Sequence, residues 1–193
     1  MKNILIIIVS LSLTTLSCKA QQIIPVENAV NYRNSEGGLM GDKDYVYVKD
    51  VNNLLNKFVG TWQGIYDNKT FEFNVVKITE DDGELKEDKL IMRYKITDSE
   101  SNVIEDVTSL PNDDTLVMNG GYIAKSGSYV FYYQGKNSDC GQNGDVFISV
   151  YGTNHTKMKL FLQVSGEIWS GADCPDTPIP QILPTEQMEL IKQ

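Results

Sequence analysis

Basic residues are scarce in this chain: 17 Lys and Arg stand against 26 Asp and Glu, arginine occurs only at Arg33 and Arg93, and the formal net charge is −9. A chain this acidic, with no basic patch, lacks the electrostatic footprint that nucleic acid or anionic lipid requires, so neither is expected as a partner. Histidine is scarcer still. The one histidine, His155, sits in Thr153-Asn154-His155-Thr156 between two strand-like runs, where a solvated hairpin tip is expected rather than a proton shuttle. Three cysteines and one histidine make no zinc set. There is no Gly-x-Ser-x-Gly elbow, no His-Glu-x-x-His and no phosphate-binding glycine loop. No enzyme activity, cofactor or metal is therefore expected. The acidic run Glu80-Asp81-Asp82-Gly83-Glu84, with Glu87-Asp88, lacks the alternating ligand spacing of a calcium loop and reads as a solvated turn.

Long apolar runs are missing as well. The longest, Ile4 to Leu16, is interrupted by Ser10, Ser12, Thr14 and Thr15 and is too short to span a bilayer. Preceded by Met1-Lys2-Asn3, it reads as an export signal over residues 1–18. Leu16-Ser17-Cys18 resembles a bacterial lipobox, which implies lipid attachment at Cys18 and an anchored protein in the bacterial envelope. The alternative is ordinary cleavage after Ala20, in Cys18-Lys19-Ala20, and a soluble periplasmic or secreted protein. Residues 19–50 follow as a polar tether broken by Pro25, Gly37-Gly38 and Gly41, with Tyr45-Val46-Tyr47-Val48 able to lay a short strand on the domain. Residues 51–193 then suffice for one core and are too few for two.

The domain begins with Val51, Leu54, Leu55 and Phe58 at helical spacing behind Asp50, a candidate N-cap, and Gly60 ends that pattern. Beyond it the period is two. Phe71, Phe73 and Val75 alternate with Glu72 and Asn74; Leu90, Met92, Tyr94 and Ile96 with Ile91, Arg93 and Lys95. Tyr129, Phe131 and Tyr133 oppose Val130 and Tyr132, Val146, Ile148 and Val150 oppose Phe147, Ser149 and Tyr151, and Met158, Leu160, Leu162 and Val164 repeat the pattern. Met188, Leu190 and the stem of Lys192 share the inward face of a last strand. Asp67-Asn68, Asp81-Asp82-Gly83, Ser126-Gly127 and Thr153-Asn154 punctuate the runs as short turns. Regular spacing with short turns predicts an all-β fold, an antiparallel up-and-down barrel of eight or nine strands with a short helix before it.

An odd cysteine count in an oxidising compartment flags one leftover thiol, and Cys18 supplies it. Cys140 and Cys174 remain. In an up-and-down sheet, successive connections alternate between the two ends. The connection holding Cys174 comes two after the one holding Cys140, so both emerge at the same end, about 10 Å apart at 4.7–4.9 Å per strand. A Cys140–Cys174 disulfide is expected. Trp169, between Gly166 and Gly171, then lies inside the clamped loop as a candidate interaction residue.

Gly60-Thr61-Trp62, entering the first strand from a helical turn, resembles the Gly-x-Trp signature of lipocalins and their calycin relatives. Asn56-Lys57-Phe58-Val59-Gly60-Thr61-Trp62 with Gly64 is similar to a group of small uncharacterised envelope lipoproteins with a lipocalin-like domain. That resemblance implies a binding module whose barrel is lined by Trp62, Phe73, Met92, Tyr94, Phe131 and Leu160 and holds a small apolar ligand. The alternative is a structural or interaction lipoprotein with a filled barrel and an envelope protein as partner. An eight-stranded barrel is just wide enough for either. The lipocalin pattern also has an arginine near the last strand packed on the tryptophan; here Lys192 stands in that region. A monomer, touching the membrane only through its anchor, is expected.

Overall fold

The period-two runs become strands, and the turns between them set the register. In the computed structural model, residues 22–32, 38–41, 43, 45–169, 173–177 and 179–193 are described; Cys18 lies outside them. They include eleven strands: β1 Gln22–Pro25, β2 Val46–Lys49, β3 Gly60–Tyr66, β4 Lys69–Asp81, β5 Leu85–Thr97, β6 Val103–Asp106, β7 Met118–Ile123, β8 Tyr129–Gln134, β9 Asn143–Tyr151, β10 Lys157–Val164 and β11 Met188–Lys192. Eight of them, β3, β4, β5, β7, β8, β9, β10 and β11, pair antiparallel in chain order, and β11 returns to β3 to close an up-and-down barrel. At Asp67 and Asn68 both central residues of a two-residue turn take positive φ, 49° and 57°, the twist that matches two antiparallel strands. At the other end of β4, the Asp82 carboxylate accepts hydrogen bonds from the Glu84 and Leu85 amides and turns the chain into β5.

β5 is the strand on which closure depends, because three neighbours share its outer edge. β2 pairs with it in parallel at residues 85–87, β7 antiparallel at Ile91 and Met92, and β6 at residues 95–97. Between β2 and β7 the Leu90 amide has no strand partner and donates instead to the Tyr129 hydroxyl oxygen, 3.0 Å away. Gly120 makes room for this: a Cβ there would collide with that hydroxyl and with the Leu90 carbonyl.

Two segments differ from the sequence reading. Residues 51–58 form a run of turns, not a helix: the amides of Asn53, Asn56, Phe58 and Val59 each bond three residues back. Asn53, at φ 55°, interrupts any continuous α ladder. Asp50 still acts as a cap, its carboxylate accepting from the Leu54 and Leu55 amides. Leu55 and Phe58 turn inward while Val51 stays exposed. The stretch read as a tether lays the short strand expected at residues 45–48 on the domain as β2, but it also carries β1 and a 3-10 helix at Val26–Tyr32. Ile24, Val26, Ala29, Val46 and Val48 are buried, so this segment is stitched to the barrel by apolar contact.

Of the acidic run, residues 80–84 lie exposed at the β4–β5 turn, the solvated turn expected, whereas Glu87-Asp88 departs from it. Asp88 is buried and accepts from the Tyr47 hydroxyl, the Thr79 hydroxyl and the Asp50 amide. Burial raises its pKa, but those hydrogen bonds, Thr79 first, outweigh it and hold the carboxyl below the usual value. Lys77 pairs with Asp50 at 2.7 Å, so the second buried carboxylate is matched by charge.

Candidate functional site

The six side chains assigned to the lumen all point inward. Trp62, Phe73, Met92, Tyr94, Phe131 and Leu160 are each 0% exposed and pack on one another and on their neighbours. Ring centroids lie 6.4 Å apart for Phe73–Tyr94, 6.1 Å for Phe71–Phe73 and 4.9 Å for Tyr129–Phe131. These large residues occupy the interior of an eight-stranded barrel as its core.

The barrel has two ends of different chemistry. At one, Trp62 donates its indole N–H to the Phe58 carbonyl at 2.8 Å, and the Lys192 ammonium sits 5.1 Å from the centre of its ring. A cation on the last strand thus lies over the tryptophan, and the run of turns with Leu55 and Phe58 plugs the opening. At the other end the Tyr94 hydroxyl donates to Glu105 at 2.5 Å, and Lys136 pairs with the second carboxylate oxygen at 3.0 Å. Glu105 is the one buried residue of β6. The hydroxyl of Tyr133 is buried there beside that of Tyr94. Burial, then the Glu105 carboxylate, pushes both phenols well above the ordinary tyrosine range, so both stay protonated.

Cys140 and Cys174 form a disulfide above this end, with a Cα separation of 5.5 Å. Two strand steps do bring the β8–β9 and β10–β11 connections to the same end. The clamp is reinforced by backbone: Cys140 bridges to Ile168, and the Trp169 amide donates to the Asp139 carbonyl. Ile168 and Trp169 are nevertheless 66% and 62% exposed. A large aromatic held on a fixed backbone, yet in water, has no packing role to explain it.

The open space lies on the outer wall. Register aligns Ile91, Asn119, Tyr132 and Asp145 across β5, β7, β8 and β9, all on the outward face. On one side of Tyr132 a cleft of about 520 Å³ runs beneath the 3-10 helix, walled by Tyr32, Glu87, Lys89, Asn119, Gly121 and Tyr122. On the other side a cleft of about 460 Å³ reaches Trp169 past Gln134, Asp139, Asp145 and Glu167. Tyr132 belongs to both. Its ring lies against Gly121 and remains 45% exposed. Glu87 is half-buried in the first cleft; burial pushes its carboxyl up to about 7, with Glu80 and Asp88 adding to the rise and Lys89 opposing it. Lys89 is ion-paired with Glu80.

Sequence reasoning singled out Trp169, read Glu87 as part of a solvated turn, and gave Asn119 and Tyr132 no site of their own. Tyr132 was legible: strand parity already puts it outside, in an aromatic run whose other rings point in. Glu87 and Asn119 were not, because the β5–β7 pairing that makes them neighbours joins segments far apart in the chain. His155 is exposed in a turn between β9 and β10, at the opposite end from the disulfide. Neither curated proteins nor solved structures offer a match to this chain. A family of unknown function, DUF6705, matches it over residues 1–193, and the chain belongs to that family.

Proposed function

We propose that this protein is an exported, lipid-anchored binding module that works through the outer wall of a side-chain-filled barrel, with no catalytic step of its own. One observation carries the reading: the inward residues are fully buried against one another, while two clefts meet at exposed Tyr132 on the outside and end at exposed Trp169. Binding sites are concave and combine aromatic surface with a few polar groups, and the outer wall meets that description.

The anchoring side of the proposal has a geometric consequence. β1 runs parallel to β2 and β2 parallel to β5, so Gln22 lies at the end of the barrel where β5 begins, the Trp62 end. Cys18 precedes it by four residues, a reach of at most about 14 Å in extended chain. An acyl group on Cys18 would hold the Trp62 end at the membrane and turn the disulfide end outward. Protein carrying Cys18→Ser should appear in the soluble fraction; persistent membrane association would remove the anchor. For the wall itself, a fluorescent fatty acid should show no saturable one-to-one binding to the purified protein. Saturable uptake that Phe131→Trp or Met92→Trp abolishes would move the site back into the lumen.

A further inference from the structure

The two clefts on either side of Tyr132 share a chemistry that selects among ligands. Their aromatic surface is broad: Tyr122 and Tyr132 in one, Tyr132 and Trp169 in the other. Among the described residues, the side chains of Glu87, Asn119, Gln134 and Glu167 take part in no hydrogen bond or ion pair within the protein, Glu167 bonding Asn143 through its backbone alone. They are polar groups left at the edges of an aromatic surface. A wholly apolar ligand would bury them unsatisfied, at a penalty for each. An anionic ligand would meet the carboxylates of Glu87, Asp139 and Glu167, and among the described residues the one cation lining the clefts, Lys89, is already engaged by Glu80. What remains is a neutral ligand with a stackable face and an edge of groups that both donate and accept. Sugar rings have that form, and amide side chains, which carry both a donor and an acceptor, match hydroxyls. A carboxyl titrating near neutrality, as Glu87 does, likewise offers both roles at once. Gly121 supports the same reading, because a Cβ there would crowd the Tyr132 ring in its present place.

We infer that the outer wall binds a neutral oligosaccharide laid across Tyr132, from the cleft under the 3-10 helix to Trp169. The inference rests on the outer-wall reading above and names its ligand class. The two clefts, about 520 and 460 Å³, give room on both sides of the ring for more than one sugar unit. Tyr132 would stack the central unit and Trp169 the outermost one, while Asn119 and Glu87 meet hydroxyls in the inner cleft.

Trp169 supplies a built-in reporter, since the chain's other tryptophan, Trp62, is fully buried. Titrating the purified full chain with chitohexaose, cellohexaose and maltohexaose should shift Trp169 emission for at least one of them, with a saturation curve that does not change between low salt and about 0.5 M NaCl, where charge attraction is screened. Trp169→Ala, at an exposed position, and Asn119→Ala should each weaken that binding by about tenfold when followed by calorimetry. Both should leave the unfolding midpoint in place. Silence toward all three hexaoses overturns the oligosaccharide. If, in addition, a lysine-rich peptide binds, loses affinity in salt and needs Trp169, the wall remains the binding surface and only the ligand class falls. Binding of a hexaose that neither variant weakens would place the site elsewhere and overturn the inference.

Discussion

The two ends of the barrel solve the same problem with different materials. Both must cover an apolar interior against water. The Trp62 end is closed by residues near in sequence, Leu55, Phe58 and Trp62, with Lys192 over the ring and the Asp50–Lys77 pair satisfied beside them. The disulfide end is covered by two long connections, has polar side chains beneath it, and leaves Ile168 and Trp169 in solvent. The first is packed as a core is packed; the second is tied down covalently and keeps an apolar surface outside. Packing alone would have hidden that surface, so the contrast teaches where stability and recognition have been separated.

The contrast predicts the largest loss at the packed end. Trp62→Ala should cost about 3–5 kcal/mol in urea unfolding, as large aromatic deletions from cores do. A loss below about 1 kcal/mol, the scale of surface changes, would mean that this end is not held by packing. At the other end, Cys140→Ser with Cys174→Ser removes a cross-link across 34 residues. It should lower stability by about 3–4 kcal/mol through the entropy returned to the unfolded chain. Native-state hydrogen exchange in that variant should quicken around residues 166–184 and stay slow in β3, β4 and β5; uniform acceleration would mean the two ends are not separable.

A smaller effect is expected for the polar layer under the disulfide. Tyr94→Phe takes the donor from Glu105 and should destabilise by about 1–3 kcal/mol, the penalty of a buried group left without its partner. No change would show that Lys136 alone satisfies the carboxylate. A pH-dependent effect is expected on the wall between the ends. Glu87 holds its proton in the folded state up to about 7, whereas it is released near 4.5 in the unfolded chain. Its contribution to stability is therefore full below 4.5 and lost as the pH rises through 7, against the pull of Lys89 and with the push of Glu80 and Asp88. Glu87→Gln should flatten the fall in thermal midpoint across that window, and an unchanged slope would place Glu87 in full contact with water.

Much of this architecture could be read from residues alone. Alternation with period two told which side of each strand faces inward, because successive side chains point to opposite faces whatever the fold. Phe73, Met92, Tyr94, Phe131 and Leu160 therefore had one place to go, and parity of the connections was enough to join Cys140 to Cys174. Where local geometry had no such rule, the tertiary structure decided. The spacing of Val51, Leu54, Leu55 and Phe58 suits a helix, yet Asn53 enters the left-handed region and the buried Asp50 takes over the capping, so turns form instead. Residues 22–32 looked polar and irregular and residues 45–48 offered a short strand with no evident partner, and only the exposed edge of β5 gave them a sheet to join. The outer clefts are of the same kind. Glu87, Asn119 and Tyr132 become neighbours only when β7 and β8 close the barrel on β5, and beside that pairing the Tyr129 hydroxyl meets the Leu90 amide over Gly120, a contact between distant segments that no local pattern encodes.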